Sequence, residues 1–272
     1  MLEKINRHEP LFIRFCWHFY RFVLSRRYKL VIKGIEHLET KGGKVLFPNH
    51  QSHIDPQLLA LLAFKYTPII PVVAEPFFKI PVVKYFLKKW DAVSVSNLRK
   101  FNRDVNILER LNKEIHENIK NGKMVIIYPA GQLCDQGIEK IYNKQAAHAL
   151  MQNFPEDAKV IGLRIHGLWG SMWSRAWMGE RPNFLYTYMK AIFYVFANLI
   201  FFVPKRTVSL EFIDITEDAK TAAKGDRQAF NTYMENFLNV NGREEPSFIK
   251  HFFYAPKPNR KLPENLQKLI KQ

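Results

Sequence analysis

Twice along this chain an apolar run stops at a proline and gives way to a short polar turn. The first is Val45-Leu46-Phe47-Pro48-Asn49-His50, the second Met124-Val125-Ile126-Ile127-Tyr128-Pro129-Ala130-Gly131. Short apolar runs bounded by turn formers are the pattern of strands buried on both faces, which occur in sheets covered by helices. Further strand patterns fall at 28–33, 67–74, 92–95, 159–165 and 208–213. Between them lie helical patterns: Leu58, Leu59, Leu61 and Leu62, then Val105, Leu108, Leu111 and Ile115, then 226–240. A short helix is also expected over 76–90. Strands alternating with helices predict an α/β fold with a mixed, largely parallel sheet flanked by helices. In such sheets sites collect beyond the carboxyl ends of the strands, so parallel pairing would bring the two proline-ended turns together.

The first turn carries a histidine and, five residues on, an aspartate. A carboxylate that holds an imidazole fixes its tautomer and stabilises its cation, which suits a general base. Asp55 followed by Pro56 before an apolar helix is equally the pattern of an N-cap with proline at the first helical position. The two readings are compatible. His53 competes with His50 for the role, and local spacing does not choose between them.

The charge narrows the partners. There are 41 basic and 25 acidic residues, a formal net charge of +16, so the chain should be drawn to a polyanion. The 22 phenylalanines cluster beside lysine and arginine, which fits a bilayer interface better than a duplex groove. No nucleic-acid-binding signature is present. Two cysteines, Cys16 and Cys134, give neither a disulfide framework nor a zinc pattern, and the start lacks the order of a secretory signal. Residues 11–24 read as a basic, aromatic helix, either lying on a membrane surface or packed on the core. Residues 184–203 are nearly all apolar and about as long as a membrane span. Lys190 near the middle would be costly in lipid, so a helix on the bilayer surface or on the core is favoured.

With these residues in view the chain resembles a known family. Asn49-His50-x-x-x-x-Asp55 is similar to the signature of the glycerolipid acyltransferases, the 1-acylglycerol-3-phosphate acyltransferases. Lys79-Ile80-Pro81 through Val93 resembles a second block of the family, and Tyr128-Pro129-Ala130-Gly131 a third. The resemblance extends over most of the chain: an interfacial helix at 1–28, an acyltransferase-like α/β domain at 29–255 and a basic tail at 256–272. It implies that His50 is the general base on an acceptor hydroxyl, that Asp55 orients it, and that no metal or cofactor takes part. The donor would be acyl-CoA or acyl carrier protein, and the acceptor a lysophospholipid at the cytoplasmic face of the cell membrane. Asn49, Ser52, Arg99, Tyr128, Pro129, Ala130, Gly131 and Gln132 would line the substrate, with backbone amides near Gly131 stabilising an oxyanion or holding a phosphate.

Two departures stand out. The family's third block has a glutamate where this chain has Ala130, and its second block closes with an arginine near Asn97, where Arg99 and Arg103 are the nearest substitutes. These changes leave room for three outcomes: a different acceptor head group, such as a lyso-aminolipid without phosphate, phosphate binding by other basic residues, or a catalytically weak membrane-binding relative. Cys134, Asp135 and His166 are read as structural. Trp169, Trp173 and Trp177, with Met172 and Met178, form either an apolar substrate surface or a core stripe.

Overall fold

Val45, Leu46 and Phe47 are fully buried, and the strand they form is the centre of the molecule. The computed structural model describes residues 11–63, 69–89, 91–95, 105–177 and 179–253. Arg99, Arg103, Asn97, Met178 and the tail from 254 lie outside the described residues, as does the Trp177 side chain. The elements are α1 (Leu11–Arg27), β1 (Tyr28–Lys33), α2 (Glu36–Glu39), β2 (Lys44–Pro48), α3 (Asp55–Ala63), β3 (Ile69–Ala74), α4 (Pro81–Lys89) and β4 (Val93–Val95). They continue with α5 (Val105–Lys120), β5 (Met124–Ile126), α6 (Ala146–Met151), β6 (Lys159–His166), α7 (Phe184–Ala197), β7 (Arg206–Asp214), α8 (Thr216–Ala223) and α9 (Arg227–Leu238).

The strands form one sheet in the order β1-β7-β6-β2-β5-β3-β4. Every neighbouring pair is parallel except β6 and β7. Alternate residues of each central strand enter different cores. Val45, Phe47, Val125 and Val160 pack with α5, α6, α8 and α9, through Ile115, Ile119, Leu150, Phe230 and Met234. Leu46, Met124, Ile126 and Leu163 face the other way, against Leu24 of α1, Leu58 and Leu59 of α3, and Phe184 and Tyr188 of α7. The sheet is thus covered on both faces, as its unbroken apolar runs require.

Two expected elements differ. The helix expected over 76–90 is a 3₁₀ turn, Glu75–Lys79, and then α4. The break comes at Ile80, which is extended (φ −88°, ψ 114°) because it precedes Pro81. The apolar run 184–203 is helical only to Ala197. Asn198 is fully buried there: its Nδ2 donates to the Tyr194 carbonyl (2.9 Å), and its Oδ1 accepts from the Phe253 amide (3.0 Å). Leu199 and Ile200 then turn the chain with φ of 50° and 58°. No helix among the described residues is long and apolar enough to cross a membrane.

The inner face of α7 is buried through Thr187 and Tyr194. Its outer face carries Leu185, Met189, Ile192, Phe193 and Phe196, all exposed, and the turn that follows adds exposed Leu199, Phe201 and Phe202. Phe201 meets Phe22 of α1 edge-on at 6.2 Å, with the Arg26 guanidinium 5.8 Å above the Phe201 ring. Phe202 packs on exposed Phe252 and Phe253, with ring centres 5.7 and 4.9 Å away.

Candidate active site

Because β2, β5 and β6 run parallel, the turns after Pro48 and Ile126 and the end of β6 at His166 lie along one edge of the sheet. Their contacts confirm the meeting: the Tyr128 ring lies 4.1 Å from the His50 ring, tilted by 32°, and the Cys134 amide donates to the His50 carbonyl at 2.6 Å.

Asp55 opens α3 and is fully buried. Its Oδ2 lies 3.1 Å from His50 Nδ1 and accepts from the Ser52 amide at 3.0 Å, and its Oδ1 accepts from the Ser52 hydroxyl. A carboxylate offers only lone pairs, so Nδ1 carries the proton and the lone pair of the imidazole sits on Nε2. That nitrogen has no hydrogen-bond partner among the described residues, and the His50 side chain is 15% exposed. Asp55 is thus the partner of the histidine and the first residue of α3, but its carboxylate does not cap the helix as the Asp-Pro pattern suggests: its bonds go to His50 and Ser52, and the Gln57 and Leu58 amides donate to the Ile54 carbonyl, both at 3.1 Å. His53 has a different place. It is buried, its Nε2 donates to the Pro182 carbonyl at 3.2 Å, and Phe77 and Phe184 meet its ring edge-on. Burial, then the neighbouring His50 and Arg181, push it down to about 3, so it stays neutral and held.

The other sequence-predicted residues divide by direction. Asn49 is buried and its amide grips β6 from both sides, with Oδ1 accepting from the Ile165 amide (2.7 Å) and Nδ2 donating to the Ile165 carbonyl (2.9 Å). Ser52, fully buried, holds Asp55. Pro129 and Ala130 are buried too, whereas Gly131 is exposed and Tyr128 and Gln132 are half-buried. Of the amides near Gly131 expected at an oxyanion or phosphate, that of Gly131 itself donates to the Tyr128 carbonyl at 2.9 Å and closes the turn. Gly131 has φ of 58°, a conformation natural to glycine. Burial raises the Cys134 thiol well above its ordinary value, which leaves it inert. Trp169 and Trp173 are core residues. Among the described residues no three His, Cys, Asp or Glu side chains stand together as metal ligands.

Two groups at the site carry no local sequence pattern. Glu139 is 2% exposed, and its Oε2 accepts from the His50 amide at 3.1 Å. Its Oε1 has no hydrogen-bond partner among the described residues. Burial pushes its carboxyl up to about 8, with the charge of nearby Asp55 adding to the rise, so at neutral pH it is mostly uncharged. Behind it, Glu244 accepts from Gln51 Nε2 and from the Gly167 amide (2.7 Å), and Gln51 Oε1 accepts from the Leu168 amide (3.1 Å). Ser247, further along the same extended segment, receives Arg206 Nη1 at 2.7 Å. Residues 244–247 thus strap the histidine loop through Gln51 and tie it to the chain after β6 and to the start of β7. A lone acid in a loop gives no periodicity to read, and Gln51 and Glu244 are too far apart in sequence to suggest a pair.

The acyltransferase family model matches residues 29–165, half of the chain. Among solved structures, the 1-acyl-sn-glycerophosphate (LPA) acyltransferase PlsC from Thermotoga maritima is similar at 19% identity and a TM-score of 0.48, over 79% of this chain and 70% of that one. No curated protein matches. The matched span runs from β1 to the last residues of β6 and contains His50, Asp55 and the Tyr128–Gly131 turn. The chain belongs to the acyltransferase family.

Proposed function

We propose that the protein moves a fatty acyl group from an acyl thioester, acyl-CoA or acyl carrier protein, to a hydroxyl of a lysophospholipid at a membrane surface. The observation that carries this reading is the His50–Asp55 pair, with Nδ1 held and Nε2 left open. Nε2 takes the proton of the acceptor hydroxyl as that oxygen attacks the thioester carbonyl. Asp55 steadies the imidazolium that forms. The tetrahedral intermediate collapses, the carbon–sulfur bond breaks, and the imidazolium returns its proton to the departing thiolate. A thioester is activated enough for proton transfer and positioning to supply the catalysis. The test is thiol release from palmitoyl-CoA and palmitoyl carrier protein by the purified chain. Release that rises with added lysophospholipid supports the reading, and release indifferent to every acceptor rejects it.

The membrane part of the reading is supported by the apolar outer face of α7 and its turn, which no described part of the chain covers. Aromatic residues edged by cations, as Arg26 edges Phe201 and Lys190 edges Tyr186, suit the boundary between headgroups and acyl chains. Serine at Phe196, Phe201 and Phe202 together should weaken sedimentation with vesicles rich in phosphatidylglycerol by about tenfold or more. Undiminished sedimentation would remove this face from the interface.

A further inference from the structure

The turn after β5 has a cation beside it that no group among the described residues neutralises. Lys144 lies thirteen residues beyond Gly131 in sequence, yet a Cβ placed on Gly131 would sit 4.0 Å from both Cε and Nζ of Lys144. The lysine backbone is fixed: its carbonyl accepts from Asn231 Nδ2 at 2.9 Å, and its amide donates to the carbonyl of fully buried Ile141 at 3.3 Å. The nearby acid on α9 is otherwise engaged. Glu235 pairs with Lys140 at 3.3 Å and accepts from the amides of Ile141 and Tyr142. Lys144 is half-buried and its Nζ has no ion-pair or hydrogen-bond partner among the described residues. In the adjoining turn the amides of Gln132 and Leu133 likewise donate to no acceptor among the described residues. The residue that could have placed an acid in this turn is Ala130, and it is buried.

We propose that Lys144, reaching over Gly131, is the binding residue for a phosphate ester carried by a substrate of the His50 site. A glycine at 131 leaves the space between the lysine and the turn open, and an ammonium beside unengaged amides is a natural seat for phosphoryl oxygens. The inference rests on the acyl-transfer reading for the identity of the substrates, not for the existence of the site. Two substrates of that reaction carry phosphate, the acceptor lipid and the coenzyme A donor, and the shared chemistry is a phosphate ester.

The test uses the full chain, its Lys144→Ala variant and its Lys144→Arg variant. Lysophosphatidate is compared with a monoacylglycerol of the same chain as acceptor, and palmitoyl-CoA with palmitoyl-pantetheine as donor. Lys144→Ala should raise the KM of one phosphate-bearing substrate about tenfold, leave the KM of its phosphate-free counterpart and kcat near those of the parent, and be largely rescued by Lys144→Arg. Which KM moves names the source. Unchanged KM values, or equal changes with and without phosphate, overturn the proposal. Should the parent transfer no acyl group at all, the catalytic reading fails separately. Titration calorimetry with short-chain lysophosphatidate and with coenzyme A then decides: phosphate-dependent binding lost in Lys144→Ala upholds the site, and binding that is absent or equal in both proteins overturns it.

Discussion

Alanine at His50 should lower acceptor-dependent thiol release by about 10³-fold, the usual contribution of a positioned general base, with little change in fold. The side chain touches Asp55 and Tyr128 but is partly exposed, so its loss leaves a shallow gap at the surface. Asp55→Asn should also cost about 10²-fold or more, because the amide can present a donor to Nδ1 and so favour the wrong tautomer. It carries a structural cost as well. Asp55 accepts two hydrogen bonds from fully buried Ser52, and replacing one acceptor oxygen leaves a buried group unsatisfied, at about 1–3 kcal/mol. Thermal melts separate the two effects: His50→Ala should melt close to the parent, Asp55→Asn below it. His53→Gln gives the contrast, with turnover kept, since the His53 ring is committed to Pro182. Turnover that persists in His50→Ala and disappears in His53→Gln would reverse the assignment.

Glu139→Gln should stabilise the protein, and more so as the pH rises. In the folded chain the carboxyl keeps its proton up to about pH 8, whereas an unburied glutamate sheds it near 4.5. Between those values the folded state holds one more proton than the unfolded state. Stability therefore falls as pH climbs through that window and flattens above it. Glutamine has no proton to lose, and its carbonyl still accepts from the His50 amide. The gain at pH 8 should be on the order of 3 kcal/mol, seen as a Tm about 5 °C higher, with little gain at pH 5. A Tm difference that does not vary with pH would show that the carboxyl is ionised in the folded protein.

What the sequence made legible was whatever local pattern can encode. Val45-Leu46-Phe47 and Met124-Val125-Ile126 read as buried strands because both faces of the sheet are covered, and Asp55-Pro56 read as a helix start because capping is a matter of adjacent residues. Local spacing left His50 and His53 level, and only the family resemblance chose His50, because their difference lies in Pro182, more than a hundred residues away. It gave no sign that β7 enters antiparallel to β6, since a strand's direction leaves no mark on its alternation. Glu139 and Lys144 were silent for the same reason: their meaning comes from His50 and Gly131, which only the fold brings near. The run 184–203 had the length of a span, but Asn198, visible as a polar interruption, marks where the helix stops and a buried capping contact begins.

The strap and the outer strand also set a schedule for synthesis. β1 has β7 as its neighbour in the sheet, and the carboxylate that grips Gln51 belongs to Glu244, beyond β7. A chain still on the ribosome with β6 complete has the His50 loop but not its backing. It also presents β6, with Val160, Ile161, Leu163 and Ile165, as an open apolar edge. Such an edge is a template for pairing with another chain until β7 arrives to close it. The stretch that follows β6 therefore first ends, with β7, the interval in which the nascent protein is most prone to aggregate, and then, with Glu244, finishes the site.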